Sequence, residues 1–488
     1  MTKNADPVVI IGLEIHVQLQ TQSKLFCGCS TKFGSQPNTQ TCHVCTGQPG
    51  ALPVLNRRAL QLAIKTGLAL NCQIERNTKW DRKNYFYPDL PKGYQISQFD
   101  RPICYDGKIE LLDADRTPTG KFVRIERAHL EEDAGKSNHD ESGQGRDSKI
   151  DLNRAGTPLL EIVTKPDLRS AVEARDFLNE LKLILTFIEV SDCNMQQGNL
   201  RVDANVNVLV DVEKEIATPI VEVKNLNSFR AVERAIEYEV QRQVKLYDET
   251  GDTINDAPKQ TRGWDDTKQK TTLQREKEDS ADYRYFPDAD LVAITTADST
   301  IERLQSEIGA LPNDFREKLA GYGLSNYDAD VLVRQGKPIL TYFEDVDKVV
   351  KNPKMVCNWI TQEVLRYLNE TETEIANFSV TPNRLAELLG ELSNKKLDQS
   401  RAKDVLAEMI KSNSDVSTAK QQLGIADVDQ GEVRALCQKL IDENEPAVAD
   451  IRSGNLKAIG SLIGQARNIN PNVNPGDVRT TLLELLGI

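Results

Sequence analysis

Several things are scarce or missing in this 488-residue sequence. No stretch approaches the ~18 to 20 uninterrupted apolar residues of a membrane-spanning helix, which excludes a helical transmembrane protein. The opening residues MTKNADPVV lack the basic, apolar and small-residue regions of a secretory leader, so a cytosolic chain is expected. Cationic excess is also missing. Lys+Arg 61 against Asp+Glu 74 gives a formal net charge of −13 and a pI of about 5.1. That excludes a general electrostatic sponge for nucleic acid and leaves only a partner met by a local basic face. Nine cysteines are too sparse for a disulfide scaffold and suit a reducing compartment. With only four histidines (His16, His43, His129, His139), no Gly-x-Ser-x-Gly elbow and no His-Glu-x-x-His, nucleophile and zincin chemistry have little to rest on. Repeats of about 20 to 50 residues and regular βαβ alternation are absent, which argues against a solenoid and a doubly wound sheet.

What is there reads as a globular protein of roughly three domains, with 39% hydrophobic and 28% charged residues and a mean hydropathy of −0.47. Residues 1–295 mix short strands, helices and Gly/Asn/Asp/Pro turns. From about Ile301 the periodicity turns helical, broken weakly near 370–382 and again near 412–416. The expected class is α+β, with mixed or antiparallel strands and packed helices in 1–295, an all-α segment in 296–412 and a small all-α tail in 413–488. Residues 383–488 carry 13 Lys+Arg against 15 Asp+Glu, so this C-terminal stretch is the least acidic part and the best placed to approach a polyanion. Two polar tracts, 137–149 and 251–270, read as exposed loops without periodicity.

Side chains alternate between the faces of a strand, so in residues 12–19 Leu13, Ile15, Val17 and Leu19 face a core while Glu14, His16 and Gln18 share the other side. Such stripes are commonly just wet. Glu-x-His is also a two-ligand arm for a divalent metal, its heads about 7 Å apart. Residues 201–208 alternate likewise, bringing Arg201, Asp203, Asn205 and Asn207 to one face, a mixture that suits water or a polar ligand. Glu222 to Ser228 leads into a helix whose apolar face is Phe229, Val232, Ile236, Val240 and Val244, with Asn227 or Ser228 as N-cap. Glu131-Glu132-Asp133 is an acidic triplet fit for a hard cation, and Glu161 stands alone in an apolar strand. Ala134-Gly135-Lys136-Ser137 imitates the end of a phosphate loop, but Leu130 stands where its first glycine belongs, and a Walker site is rejected. Residues 79–98 interleave cations, aromatics and amides, as does Asp282-Tyr283-Arg284-Tyr285-Phe286-Pro287-Asp288. A ring-packed loop and a surface that stacks bases and contacts phosphates are both compatible with that composition.

Cys27-x-Cys29, twelve residues, then Cys42-x-x-Cys45 is the sharpest local signal. Two thiolate hooks around a loop are the layout of a tetrahedral structural Zn²⁺ site, all of whose positions the protein fills.

Taken together, Gly-Leu-Glu-Ile-His-Val at 12–17, the run 81–89, Tyr94-Gln95-Ile96-Ser97-Gln98, the segment 131–136, Asp151-Leu152-Asn153-Arg154, the segment 156–161, Lys224-Asn225-Leu226-Asn227-Ser228 and the run 282–287 resemble the B subunit of the tRNA-dependent amidotransferases, over essentially the whole chain. The resemblance implies a β-rich cradle, a helical domain and a small helical tail that touches tRNA. It implies an ATP-dependent carbon–nitrogen ligase in a heterotrimer with an amidase A subunit and a small C subunit. That enzyme phosphorylates the side-chain carboxyl of misacylated Glu-tRNA(Gln) or Asp-tRNA(Asn), and ammonia freed from glutamine by the A subunit then displaces phosphate. On the matching positions it implies a Mg²⁺ site at Glu14, His16, Glu131 and Glu161, where the imidazole either acts from outside the coordination sphere or favours Mn²⁺, since Mg²⁺ prefers oxygen. It also puts Lys83, Asn84, Tyr85, Gln95, Ser97, Asn153, Arg154, Asp203, Asn205, Lys224 and Asn227 at ATP, the acyl-tRNA end or the ammonia path. The rival from a different class is a non-catalytic, zinc-stapled adaptor that docks tRNA on a partner enzyme.

Overall fold

In the computed structural model, residues 7–139, 148–277, 282–426, 429–453, 455–470 and 472–488 are described. They form two compact units, Met1–Phe315 and Arg316–Ile488. The first is built on a ten-stranded sheet, counted among the described residues. Its strands in chain order are β1 (Val8–Gln18), β2 (Gln73–Ile74), β3 (Cys104–Leu112), β4 (Pro118–Glu132), β5 (Pro158–Thr164), β6 (Leu200–Asp211), β7 (Ile216–Ala217), β8 (Val221–Leu226), β9 (Lys259–Asp265) and β10 (Lys270–Lys277). Their order across the sheet is β10-β9-β8-β6-β1-β5-β4-β3-β2, with β7 paired to β6. Only β8 and β9 run parallel; the other pairs are antiparallel.

Period-two alternation explains how one sheet serves both core and site. Leu13, Ile15 and Val17 of β1, Leu130 of β4, Leu160 and Ile162 of β5 and Val202 and Ala204 of β6 belong to one buried apolar cluster. Helices α1 (Arg57–Ala69), α2 (Ala171–Phe187) and α3 (Phe229–Thr250) contribute Leu62, Phe177, Leu181, Val232 and Ile236 to it. Each helix starts on a side-chain cap. The Asn56 carbonyl oxygen accepts from the Arg58 and Ala59 N–H groups, and the Ser170 and Ser228 hydroxyls accept from Glu173 and Ala231. Of the two cap candidates for α3, the structure uses Ser228. The expected apolar face of α3 changes along its length, because Glu239 and Gln243 are buried in its later turns. The Gln243 amide donates to the Val206 carbonyl and accepts from Thr218, and Glu239 accepts from Thr271, so these side chains satisfy polar groups at the sheet.

Both tracts read as loops prove partly regular. Lys136–His139 and Ser148–Asp151 pair as an antiparallel hairpin, while residues 140–147 lie outside the described ones. Lys259–Asp265 is β9, a strand with no apolar alternation that owes its place to parallel pairing with β8 and antiparallel pairing with β10. A small three-stranded sheet, Phe286–Pro287, Asp81–Asn84 and Tyr94–Ser97, joins the two aromatic tracts.

The second unit is helical. Asp330 is buried between the guanidinium groups of Arg316 and Arg334, with Nε–O distances of 3.0 and 2.6 Å. Within it, residues 433–486 close a core of their own around Val433, Cys437, Leu462, Val478 and Leu482. Among the described residues no helix is long and apolar enough to cross a membrane.

Candidate active site

The polar face of the central strands is organised by register. Arg201 of β6 lies opposite His16 of β1, His16 opposite Glu161 of β5, and Glu161 opposite His129 of β4. Four adjacent strands thus set a cation, an imidazole, a carboxylate and a second imidazole in one row. Glu131, two residues beyond His129, joins it from the same face of β4. His16 Nε2 lies 3.5 Å from Glu161 Oε2 and 3.8 Å from Glu131 Oε1. Ligand atoms of His16, Glu131 and Glu161 all come within 4.8 Å of one another, which fits a single divalent ion with mixed oxygen and nitrogen donors.

Burial alone would neutralise these carboxyls, but charge outweighs it. Glu131 is 2% exposed, and burial pushes its pKa up; Lys83 and His129 bring it below the usual carboxylate range. At Glu161, against the same burial, His129, His16 and Lys83 hold the carboxyl well below that range. His16 responds in the opposite sense: burial lowers its pKa, yet Glu161 and Glu131 raise it. The site is therefore poised as two carboxylates facing cationic groups.

Glu14, expected beside those three, belongs to the next row instead, opposite Asp203. Its own cluster is Asp203 and Glu222, with carboxylate oxygens again within 4.8 Å. This second acidic group already contains a cation. Lys224 Nζ pairs with Asp203 and, at 3.0 Å, with Glu222, while the Asn205 amide donates to Glu14 Oε1 at 2.9 Å. Glu14, Asp203, Asn205 and Lys224 are thus brought together, one row away from His16, Glu131 and Glu161.

The aromatic tracts border the first cluster. The Ser97 hydroxyl donates to Glu131 Oε2 at 3.3 Å, and the Tyr85 hydroxyl donates to Gln95 Oε1 at 3.0 Å. Lys83 Nζ lies 5.0 Å from the Tyr283 ring centroid. Burial lowers its pKa, but Glu131, Tyr285 and Glu161 leave it raised, so the ammonium stays charged. Asn84 instead has a structural job, its amide donating to the Tyr283 and Arg284 carbonyls at 3.3 and 2.8 Å.

Beyond Gln18 the face opens into a cavity of about 630 Å³ whose walls carry Lys32, Lys136, Arg154 and Arg201 together with Phe33, Asn153 and Asn227. Asp133, 2% exposed, anchors this wall. It accepts from Arg201 Nη2 at 2.8 Å and from the Gln18 amide at 2.7 Å, with Arg154 Nε at 3.6 Å. Asn153 lines the cavity but spends its amide elsewhere. Its oxygen accepts from the Gln40 N–H and its nitrogen donates to the Gln36 carbonyl, tying the cysteine loop to the wall. Gly135 of the phosphate-loop imitation is followed by a strand, so no helix N-terminus faces a ligand there. A Cβ on it would meet the Asp89 and Asp151 carbonyls at 2.9 and 3.0 Å, a packing reason for the glycine.

Cys27, Cys29, Cys42 and Cys45 converge with all four sulfurs within 4.8 Å, a donor set that fits structural Zn²⁺. Lys24, fully buried, points Nζ at Cys45 Sγ (3.5 Å) and the Leu152 carbonyl (3.3 Å). The Cys45 thiol is held at about 4, chiefly by the hydrogen bond from Cys27, against burial, with the Cys42 N–H and Lys24 adding.

Residue-by-residue reading of the sequence missed His129 and Lys24 as parts of these sites. For His129 a signal existed, because His129, Glu131 and Asp133 alternate as Glu14, His16 and Gln18 do. Lys24 carries none, since nothing local marks a lysine for burial.

Comparison with known proteins gives concordant results. A family model described as the GatB/GatE catalytic domain matches residues 9–302, and one described as the GatB domain matches 341–486. The B subunit of the aspartyl/glutamyl-tRNA(Asn/Gln) amidotransferase of Rhodopirellula baltica is 54% identical over 479 residues, covering 98% of this chain and 96% of that one. Its namesake from Caldicellulosiruptor bescii is 46% identical over 484 residues, 98% of each chain. That from Persephonella marina is 42% identical over 480 residues, 98% of this chain and 99% of its own.

Proposed function

The chain belongs to the family of aspartyl/glutamyl-tRNA(Asn/Gln) amidotransferase B subunits, and we propose that its polar sheet face is where that ligase activates the carboxyl to be amidated. The family's enzyme converts Glu-tRNA(Gln) and Asp-tRNA(Asn) to their amidated forms, and its B chain works in a multi-subunit assembly. The finer reading is that ATP transfers its γ-phosphoryl group to the side-chain carboxylate of the misacylated tRNA. ADP leaves, ammonia then attacks the acyl carbon, and phosphate departs.

A carboxylate is a poor electrophile, and the acyl phosphate corrects that. His16, Glu131 and Glu161 would hold a divalent cation, Mg²⁺ or Mn²⁺, which neutralises charge developing on the transferred group. This chain's residues supply the rest. Arg201, paired with Asp133, and Arg154 line the cavity with Lys32 and Lys136 as a seat for phosphate-bearing ligands. Phe33, 65% exposed, offers a ring for a base. Lys83 and Tyr85 stand at the other border of the carboxylates, where uncharged ammonia from an amidase partner would enter. Glu14, Asn205, Asp203 and Lys224 form the flanking polar wall. The four cysteines hold Zn²⁺ and fold the loop that Asn153 clamps to the cavity. We assign residues 1–295 to this cradle, 296–412 to a helical domain and 413–488 to a tail that meets tRNA, in a cytoplasmic heterotrimer with the A and C subunits.

The observation that carries the reading is the four-strand row, which gathers His16, Glu161 and Glu131 from three distant sequence segments. In the reconstituted complex, Glu131→Gln is expected to abolish ATP-dependent amidation while the partner's glutamine hydrolysis survives at least in part. Unchanged amidation removes Glu131 from the chemistry. Cleavage of radiolabelled ATP that is tRNA-dependent in the wild type and unaffected by Glu14→Ala and Glu131→Gln would leave this chain the role of an adaptor.

A further inference from the structure

His129 ends the row and has no part in the reading above. It is 4% exposed, on β4 directly opposite Glu161 of β5. Its Nε2 lies 3.7 Å from Glu131 Oε2 and 3.6 Å from Glu161 Oε2. Its Nδ1 is buried and has no hydrogen-bond partner among the described residues. A neutral imidazole carries one N–H and one lone pair. With the proton on Nδ1, a donor would be buried unsatisfied, at a cost of about 1–3 kcal/mol, and a lone pair would face two carboxylates. With the proton on Nε2, a donor faces both carboxylates and only a lone pair goes unused. The second arrangement is favoured twice over.

The oxygen that His129 faces on Glu131 is also the one that accepts from Ser97. Ser97 thus donates to Oε2 and the His129 ring faces it at 3.7 Å, so Oε1, turned toward His16, is left for the ion. We propose that His129 is a positioning residue for the cation site. Its Nε2–H turns Glu131 so that Oε1 meets the ion beside His16, it steadies Glu161 through the Oε2 that it shares with His16, and His129 itself stays outside the coordination sphere. The inference rests on the row being a cation site and adds which imidazole binds and which orients.

The test uses Mn²⁺ alone on the full-length chain, a hard ion that thiolates hold poorly. Its binding is followed by electron paramagnetic resonance, and directly bound ¹⁴N is counted by electron spin-echo modulation. One coordinated imidazole nitrogen is expected, lost in His16→Ala and retained in His129→Ala and His129→Gln. The Mn²⁺ Kd should rise about tenfold in His129→Ala and less in His129→Gln, whose amide can donate from the same side. Two nitrogens in the wild type, one of them lost in His129→Gln, would make His129 a ligand and overturn the proposal. So would unchanged Mn²⁺ affinity in both His129 variants. A wild-type chain that binds no Mn²⁺, or binds it with no nitrogen coupling, overturns instead the cation reading of the row on which the proposal stands.

Discussion

Replacing Asp133 with Asn keeps the side chain's shape and removes its charge from a place where two guanidinium groups depend on it. The carboxylate accepts from Arg201 at 2.8 Å and Gln18 at 2.7 Å and faces Arg154 at 3.6 Å. Asn retains one acceptor oxygen; the NH₂ that replaces the other points a donor at donors. A hydrogen bond to a charged group contributes about 1.5–3 kcal/mol, and breaking a buried pair costs about 3–5 kcal/mol. The Arg201 and Arg154 side chains are 36% and 29% exposed, so water recovers part of this. The expected loss lies at the low end, about 3 kcal/mol. Burial raises the Asp133 pKa, but Arg201, Arg154 and Gln18 together bring it below the ordinary carboxylate value. A carboxyl depressed in the folded state stabilises above its unfolded pKa of about 3.9 and loses that contribution as pH falls through the folded value. Native-state hydrogen exchange of the β1 and β6 amides should therefore show the deficit of Asp133→Asn undiminished from about pH 7 to pH 5 and shrinking below about pH 4. A deficit under about 1 kcal/mol at neutral pH, or one that grows on acidification, would refute the anchoring role of Asp133.

Three other outcomes follow from particular contacts. Lys24→Met removes the ammonium beside Cys45, so competition with a chromophoric chelator should show Zn²⁺ affinity reduced about tenfold or more. Gln98→Leu strands the Leu130 and Ile103 N–H groups, which its side-chain oxygen accepts at 3.0 and 3.2 Å. A destabilisation of about 3 kcal/mol in urea unfolding is expected. Truncation before Asp429 removes the 433–486 core intact and leaves Val416 and Ala419 buried in the rest of the helical unit. In the reconstituted complex it should raise KM for tRNA far more than KM for glutamine, and equal effects would make the tail a folding element.

Some of the site was legible because the strand period is two and short polar residues cannot hide in it. Glu14-x-His16-x-Gln18 and Arg201-x-Asp203-x-Asn205 declare a polar face wherever they pair, and the cysteine hooks declare a tetrathiolate through spacing alone. The helical texture after residue 301 was equally readable, since it repeats every turn. His129 escaped because its segment looked like an acidic triplet next to a false phosphate loop, which hid the alternation that continues through it. β9 escaped because its polar composition gives no alternation, and only pairing with β8 on one side and β10 on the other makes it a strand.

From residue order alone came the alphabet of this protein: which side chains share a face, which thiols make a hook, where sheet gives way to helices. Which faces became neighbours was decided in three dimensions. Register across four strands puts Glu161 between His16 and His129 and sets Glu14 one row away with Lys224 for company. A shift of one residue at any of those pairings would turn the carboxylates into the core. Backbone hydrogen bonds set that register over distances that local sequence does not encode. The long-range packing of α1, α2 and α3 on the opposite face holds it there.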